Sequence, residues 1–161
     1  MKTILKKKTV SVARALKEKN RLKGRIAAAR EAVSEQNSRE GSNPRKVDVR
    51  EQFLESRALV ERLTALKAAI AEANRPIVRK IIELAETKSE IAWLNGLNTK
   101  EGQFQENSYG NRVVRVFDAV ITGPDVVREL EILRRRAERL QDELDEFNVT
   151  ARIEIEVEDE D

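Results

Sequence analysis

Apolar residues between Pro76 and Gly96 recur at steps of three and four, which is the period of an α-helix. This apolar face is wider than the seam of a simple helix pair, so a helix over about 76–95 is expected to have neighbours on more than one side. Asn74 suits its N-cap. Trp93, the single tryptophan, is predicted to anchor the core, with a ring that serves as a ligand platform as the alternative.

The same period predicts three more helices, over about 10–36, 49–73 and 124–147. The first two are each about 25 residues long and would span about 38 Å. The segment 37–48 between them is rich in turn-forming residues. Two helices of equal length joined by a loop favour an antiparallel helical hairpin.

The helix over 124–147 keeps its three-four spacing for three heptads, which is the clearest coiled-coil pattern in the chain. An unbroken apolar seam of this kind favours association with another helix. The candidate interface residues on this seam are Leu130, Leu133, Leu140, Leu144 and Phe147.

Between Ala73 and Ile77 only three residues intervene, 74–76, and none of them is glycine. Proline ends or kinks a helix at the preceding turn. The pattern therefore predicts one long helix that is kinked at Pro76, with an abrupt corner as the alternative.

Residues 97–111 are polar and contain two glycines, which is typical of a loop. Phe104 and Tyr109 stand out in this polar run and are candidate interface residues. Either their rings dock on the helix over 76–95, or the loop binds a partner.

Two strands are predicted near the C-terminus. β-Branched residues dominate 112–121, and apolar and polar residues alternate cleanly over 149–157. With the helix between them, these strands would form a βαβ unit. Because a two-stranded sheet alone is marginal in water, it needs helices beneath it, a third strand or a second copy of the chain. The basic segment 1–9 is either that strand or an irregular lead-in.

Together these elements predict a single, mainly α domain over 1–161, built as elongated antiparallel helical hairpins or coiled coils with a small β element near the C-terminus. Composition agrees with this fold class, because 37% charged and 4% aromatic residues are typical of long, exposed helices.

The residue types present exclude several kinds of chemistry. The chain has no cysteine and no histidine, so it lacks thiolate ligands, the usual general base and the commonest metal ligand. It has no glycine-rich phosphate loop and no apolar run of the roughly 20 residues that cross a bilayer. We therefore expect a cytoplasmic, non-enzymatic protein without a cofactor, a metal or a membrane partner. A carboxylate-based hydrolase is a remote alternative.

Charge is distributed unevenly along the chain. Residues 1–30 hold eleven lysines and arginines and one acid, a net charge of +10, whereas residues 138–161 have a net charge of −9. The two ends are expected to complement each other, within one chain or between two. Nucleic-acid binding by the basic first helix is the alternative, although this segment lacks the interleaved aromatic residues that stack on bases.

The function predicted from these features is that of a structural or protein-interaction protein that self-associates through helix seams. The partner would be a second copy of the chain, in a dimer or a higher homo-oligomer, because the apolar faces outnumber their partners within one chain. The alternative is a nucleic-acid-binding accessory protein that uses the basic N-terminal helix.

Overall fold

The computed structural model describes residues 5–38, 40–41, 44–108 and 111–158. These residues form a mainly helical chain, as predicted. The elements in order are β1 (Leu5–Ser11), α1 (Val12–Gln36), α2 (Val49–Ala73), a 3-10 turn (Arg75–Ile77), α3 (Val78–Asn95), β2 (Gly102–Ser108), β3 (Asn111–Phe117), α4 (Gly123–Thr150) and β4 (Arg152–Glu158).

The observed helices begin and end within three residues of the predicted bounds. The chain separates into two compact units, the first formed by Met1–Ile77 with Asp145–Asp161 and the second by Val78–Leu144. Helix α4 contributes residues to both units, and the single domain over 1–161 stays a prediction.

The core of the first unit lies where α1, α2 and β4 meet. Ser11 caps α1 by accepting a hydrogen bond from the backbone N–H of Arg14 at 3.2 Å, and Asp48 caps α2 by accepting one from that of Glu51 at 3.0 Å. Each helix then turns one apolar stripe inward. The buried residues of this core are Val12, Ala15, Leu22, Ile26, Leu59, Leu66, Ile70, Ile153 and Ile155.

Strand β4 pairs antiparallel with β1, from Leu5 opposite Glu158 to Ser11 opposite Arg152. Its alternation is the predicted one, since Ile153 and Ile155 are buried between exposed neighbours. Residues 5–9 of the N-terminal segment, which the sequence left open, thus belong to the partner strand. The predicted βαβ unit is wrong, because β4 pairs with β1 and β3 pairs with β2, both antiparallel.

In the second unit, α3 and α4 share an apolar cluster formed by Leu94, Val126, Leu130 and Leu133. Helix α4 starts with a reciprocal cap, in which Asp125 Oδ2 accepts hydrogen bonds from the N–H of Thr122 at 3.1 Å and from its hydroxyl at 2.6 Å. These bonds from Thr122 lower the pKa of the Asp125 carboxyl. The cap fixes where the helix begins.

Strands β2 and β3 form a hairpin, with Gly102 opposite Phe117 and Phe104 opposite Arg115. The predicted loop over 97–111 is therefore wrong for residues 102–108. Its sequence, GQFQENS, shows no apolar alternation, and the strand exists because β3 offers it a backbone ladder. The predicted strand over 112–121 ends earlier, at Phe117.

The long helix that was predicted to kink at Pro76 is instead interrupted there. Helix α2 ends at Ala73, where the backbone N–H of Asn74 donates to the carbonyl of Ile70 at 3.0 Å. A 3-10 turn over Arg75–Ile77 follows before α3 begins. Asn74 does not form the predicted side-chain cap, because its Oδ1 is buried without a hydrogen-bond partner in the described chain.

Candidate functional site

The candidate interface residues of α4 are covered by other residues of the same chain. Leu130, Leu133, Leu140 and Leu144 are buried, at 5–7% exposed, and Phe147 packs against the core of the first unit. These side chains are covered within the chain, and their role as an interface between two copies stays a prediction.

Trp93 is 59% exposed, whereas the next residue, Leu94, is 7% exposed. Successive helical side chains point about 100° apart, so only one of the two can face α4. The buried positions of α3 are Leu84, Thr87 and Leu94. The prediction that Trp93 anchors the core is therefore wrong.

Helix α3 carries a second apolar face on the side opposite its buried positions. Val78 is 50% exposed, Ile82 is 57% exposed, and both are in helical register with Trp93. We call this face the α3 stripe. Its members are Val78, Ile81, Ile82, Ala85, Ala92 and Trp93, all of them exposed. Several exposed apolar residues on one helix face mark an interaction site more often than scattered apolar residues do.

The charged residues on the two sides of α3 differ in their ion pairing. On the side of α4, Lys80 pairs with Glu143 at 2.7 Å and Glu83 with Arg136 at 2.5 Å. The hydrogen bond from Arg136 lowers the pKa of Glu83. Three further charged residues, Arg79, Glu86 and Glu90, lie along one edge of the α3 stripe and form no ion pair within the described chain.

Within the hairpin, Phe104 has an aromatic neighbour, and the binding of a partner by this segment stays a prediction. Phe104 meets Phe117 edge to face, with ring centroids 5.6 Å apart, and so finds its partner inside the hairpin. The ammonium of Lys100 lies 4.3 Å and 4.4 Å from the two ring centroids, within the range of cation–π attraction. Tyr109 lies outside the described residues.

The basic and acidic ends of the chain meet, which confirms the predicted complementarity within one chain. Lys7 of β1 pairs with Glu154 of β4 at 2.9 Å. At the end of β4, one carboxylate oxygen of Glu158 accepts from Arg25 of α1 at 2.5 Å and from Arg62 of α2 at 2.6 Å. Through these hydrogen bonds, Glu158 connects β4 to both α1 and α2.

Opposing influences act on the pKa of Glu158. Partial burial is the largest and raises the pKa, but the hydrogen bonds from Arg25 and Arg62 together outweigh it, so the pKa lies below the ordinary 4.5. Because the folded-state pKa is lowered, this contribution to stability is fully present above about pH 4.5. It is lost as the pH falls through the lowered pKa.

Replacing Glu158 with Gln should lower the free energy of unfolding at pH 7 by about 1–3 kcal/mol, because two charged donors lose their ionised acceptor. The difference from the parent chain should shrink at pH 3. Chemical denaturation at both pH values measures it. Glu156→Gln, on the exposed side of the same strand, is the control and should change stability by less than about 0.5 kcal/mol. Equal losses in the two variants would contradict the role of Glu158.

The described residues hold no group of acidic side chains that could bind a metal ion, and none of their helices is long and apolar enough to cross a membrane. No protein-family model matches the sequence, and no curated protein or solved structure is detectably similar to it.

Proposed function

We propose that the protein is a non-enzymatic structural or interaction protein that self-associates as a dimer through the α3 stripe. The observation that carries the proposal is the exposure of Val78, Ile82 and Trp93 on one face of a well-formed helix. Removing such apolar area from water is the main favourable term in association. A second copy of the chain would cover the stripe by a twofold interface, the commonest arrangement among homo-oligomers.

The charges along the stripe support a second copy as the occupant. In an antiparallel pair related by a twofold axis near Ala85, each edge of α3 faces the same edge of the other copy with its direction reversed. Arg79 would then lie beside Glu90 of the second copy, and Glu90 beside the other Arg79. Charges flanking an apolar helix seam are known to set the partner and its orientation.

The ion pairs within the chain support helix pairs that run in opposite directions. In the first unit, Arg25 pairs with Glu55 at 2.8 Å and Glu18 lies 3.9 Å from Arg62, so an earlier residue of α1 matches a later residue of α2. The ion pairs between α3 and α4 likewise join the earlier residue of α3, Lys80, to the later residue of α4, Glu143, and Glu83 to Arg136. We infer antiparallel helical hairpins with coiled-coil-like seams as the scaffold that presents the α3 stripe.

Cysteine cross-linking tests the interface directly, because the chain has no cysteine of its own. Ala85→Cys places one thiol near the proposed twofold axis. A short bismaleimide should convert most of this variant into a covalent dimer at micromolar concentration, as measured on a denaturing gel.

The matched control is Ala28→Cys, an equally small and exposed position on α1. It should give little cross-linked product, because it lies outside the proposed interface. Cross-linking of Ala85→Cys that is no more efficient than that of Ala28→Cys would overturn the proposal.

A further inference from the structure

A groove of about 340 Å³ lies beside β1 and the first turns of α1, in the first unit. We call it the basic groove. Its charged lining consists of four cations and two acids, namely Lys8, Arg14, Lys17, Arg21, Glu18 and Glu158. Basic side chains thus outnumber acidic ones by two to one in a concave part of the surface.

Helical spacing brings three of the basic residues in the groove together on α1. Arg14, Lys17 and Arg21 are separated by three and four residues, which places them along one face of α1. Arg21 is bonded to Glu18 at 2.8 Å and lies 3.6 Å from Glu158. Lys8, Arg14 and Lys17, by contrast, have no ion-pair partner in the part of the chain that the structure describes. Three positive charges in the groove are therefore uncompensated.

The macrodipole of α1 adds to this excess of positive charge. The first turn of α1 contains no acidic residue, although acids are favoured where the macrodipole presents its positive end. Arg14 and Lys17 lie in the first two turns, where cations are disfavoured. A bound anion would offset both the dipole and the side-chain charges.

We propose that the basic groove binds the phosphate groups of a phosphate-bearing ligand. Guanidinium and ammonium groups are the usual phosphate donors in proteins, and charge-assisted hydrogen bonds to phosphate are among the strong ones. Phosphate suits the groove better than a carboxylate does, because it carries more than one negative charge and the groove has three free cations. Glu158 also lines the groove, and its carboxylate disfavours a phosphate group on the side of Arg21.

Calorimetric titration at low salt tests the site, with inorganic triphosphate and a short single-stranded oligodeoxynucleotide as separate probes. The variant is Arg14→Gln combined with Lys17→Gln. The control is Lys23→Gln combined with Arg30→Gln, which removes the same charge from exposed positions on the same helix, outside the groove. The groove variant should bind at least roughly tenfold more weakly than the parent chain, and the control should differ by less than about twofold.

The two probes distinguish the sources of phosphate. Groove-dependent binding of triphosphate supports the proposal with a free phosphate chain as the ligand, and groove-dependent binding of the oligonucleotide alone supports it with a nucleic-acid backbone. Binding of neither probe would overturn the proposal. So would an equal loss of affinity in both variants, since that is the behaviour of diffuse attraction to a basic helix.

Discussion

Replacing Leu22 with Ala is expected to lower the free energy of unfolding by about 2–5 kcal/mol. Leu22 is 1% exposed and lies in the core that α1 forms with α2 and β4. Truncation removes apolar contacts and leaves a cavity that packed helices can close only in part. Urea denaturation followed by circular dichroism measures the loss.

The matched control is Leu54→Ala, because it deletes the same atoms from a side chain that is 58% exposed on α2. Its effect should stay within about 0.5 kcal/mol. Similar losses in the two variants would show that the core of the first unit does not lie where the structure places it.

The helices were predictable because each one is long and keeps a consistent period. The width of the apolar face on α3 was also predictable from the sequence, but which part of that face is buried was not. The structure buries Thr87 and Leu94 and leaves Trp93 in water, against the usual preference of a large ring. Which side of α3 faces α4 depends on tertiary packing, which residue types alone do not specify.

Which strands pair with each other depends even more than helix burial on residues that are far apart in the sequence. The alternation of β4 predicted a strand, but its partner β1 lies at the other end of the chain. Strand β2 has almost no pattern of its own and depends on the ladder with β3. Charge asymmetry predicted that the two ends meet, yet it gave no sign that Arg62 of α2 would join Arg25 at Glu158. The basic groove likewise needs β1 beside α1.

The second large effect is expected at the α3 stripe. Ile82→Glu should raise the dissociation constant of the dimer by roughly a hundredfold or more, because association would bury a carboxylate without a partner. The monomer should keep its fold, since Ile82 is 57% exposed. Analytical ultracentrifugation gives the constant, and circular dichroism checks the fold.

Ile132→Glu is the control for this change. Ile132 is 56% exposed on α4, so the substitution has the same chemistry and similar exposure in the same unit, away from the α3 stripe. Its dissociation constant should stay within about threefold of the parent value. Equal weakening by both substitutions would indicate a nonspecific effect of added charge rather than a defined interface.

The most direct measurement of self-association is the light-scattering mass of the unmodified chain over a wide range of concentrations. We expect a mass of twice 18.4 kDa at high concentration, falling towards 18.4 kDa on dilution. Ile82→Glu should remain near 18.4 kDa at the concentrations where the unmodified chain and Ile132→Glu are dimers. A mass of 18.4 kDa for the unmodified chain at every concentration, together with full cooperative stability, would contradict self-association through the α3 stripe.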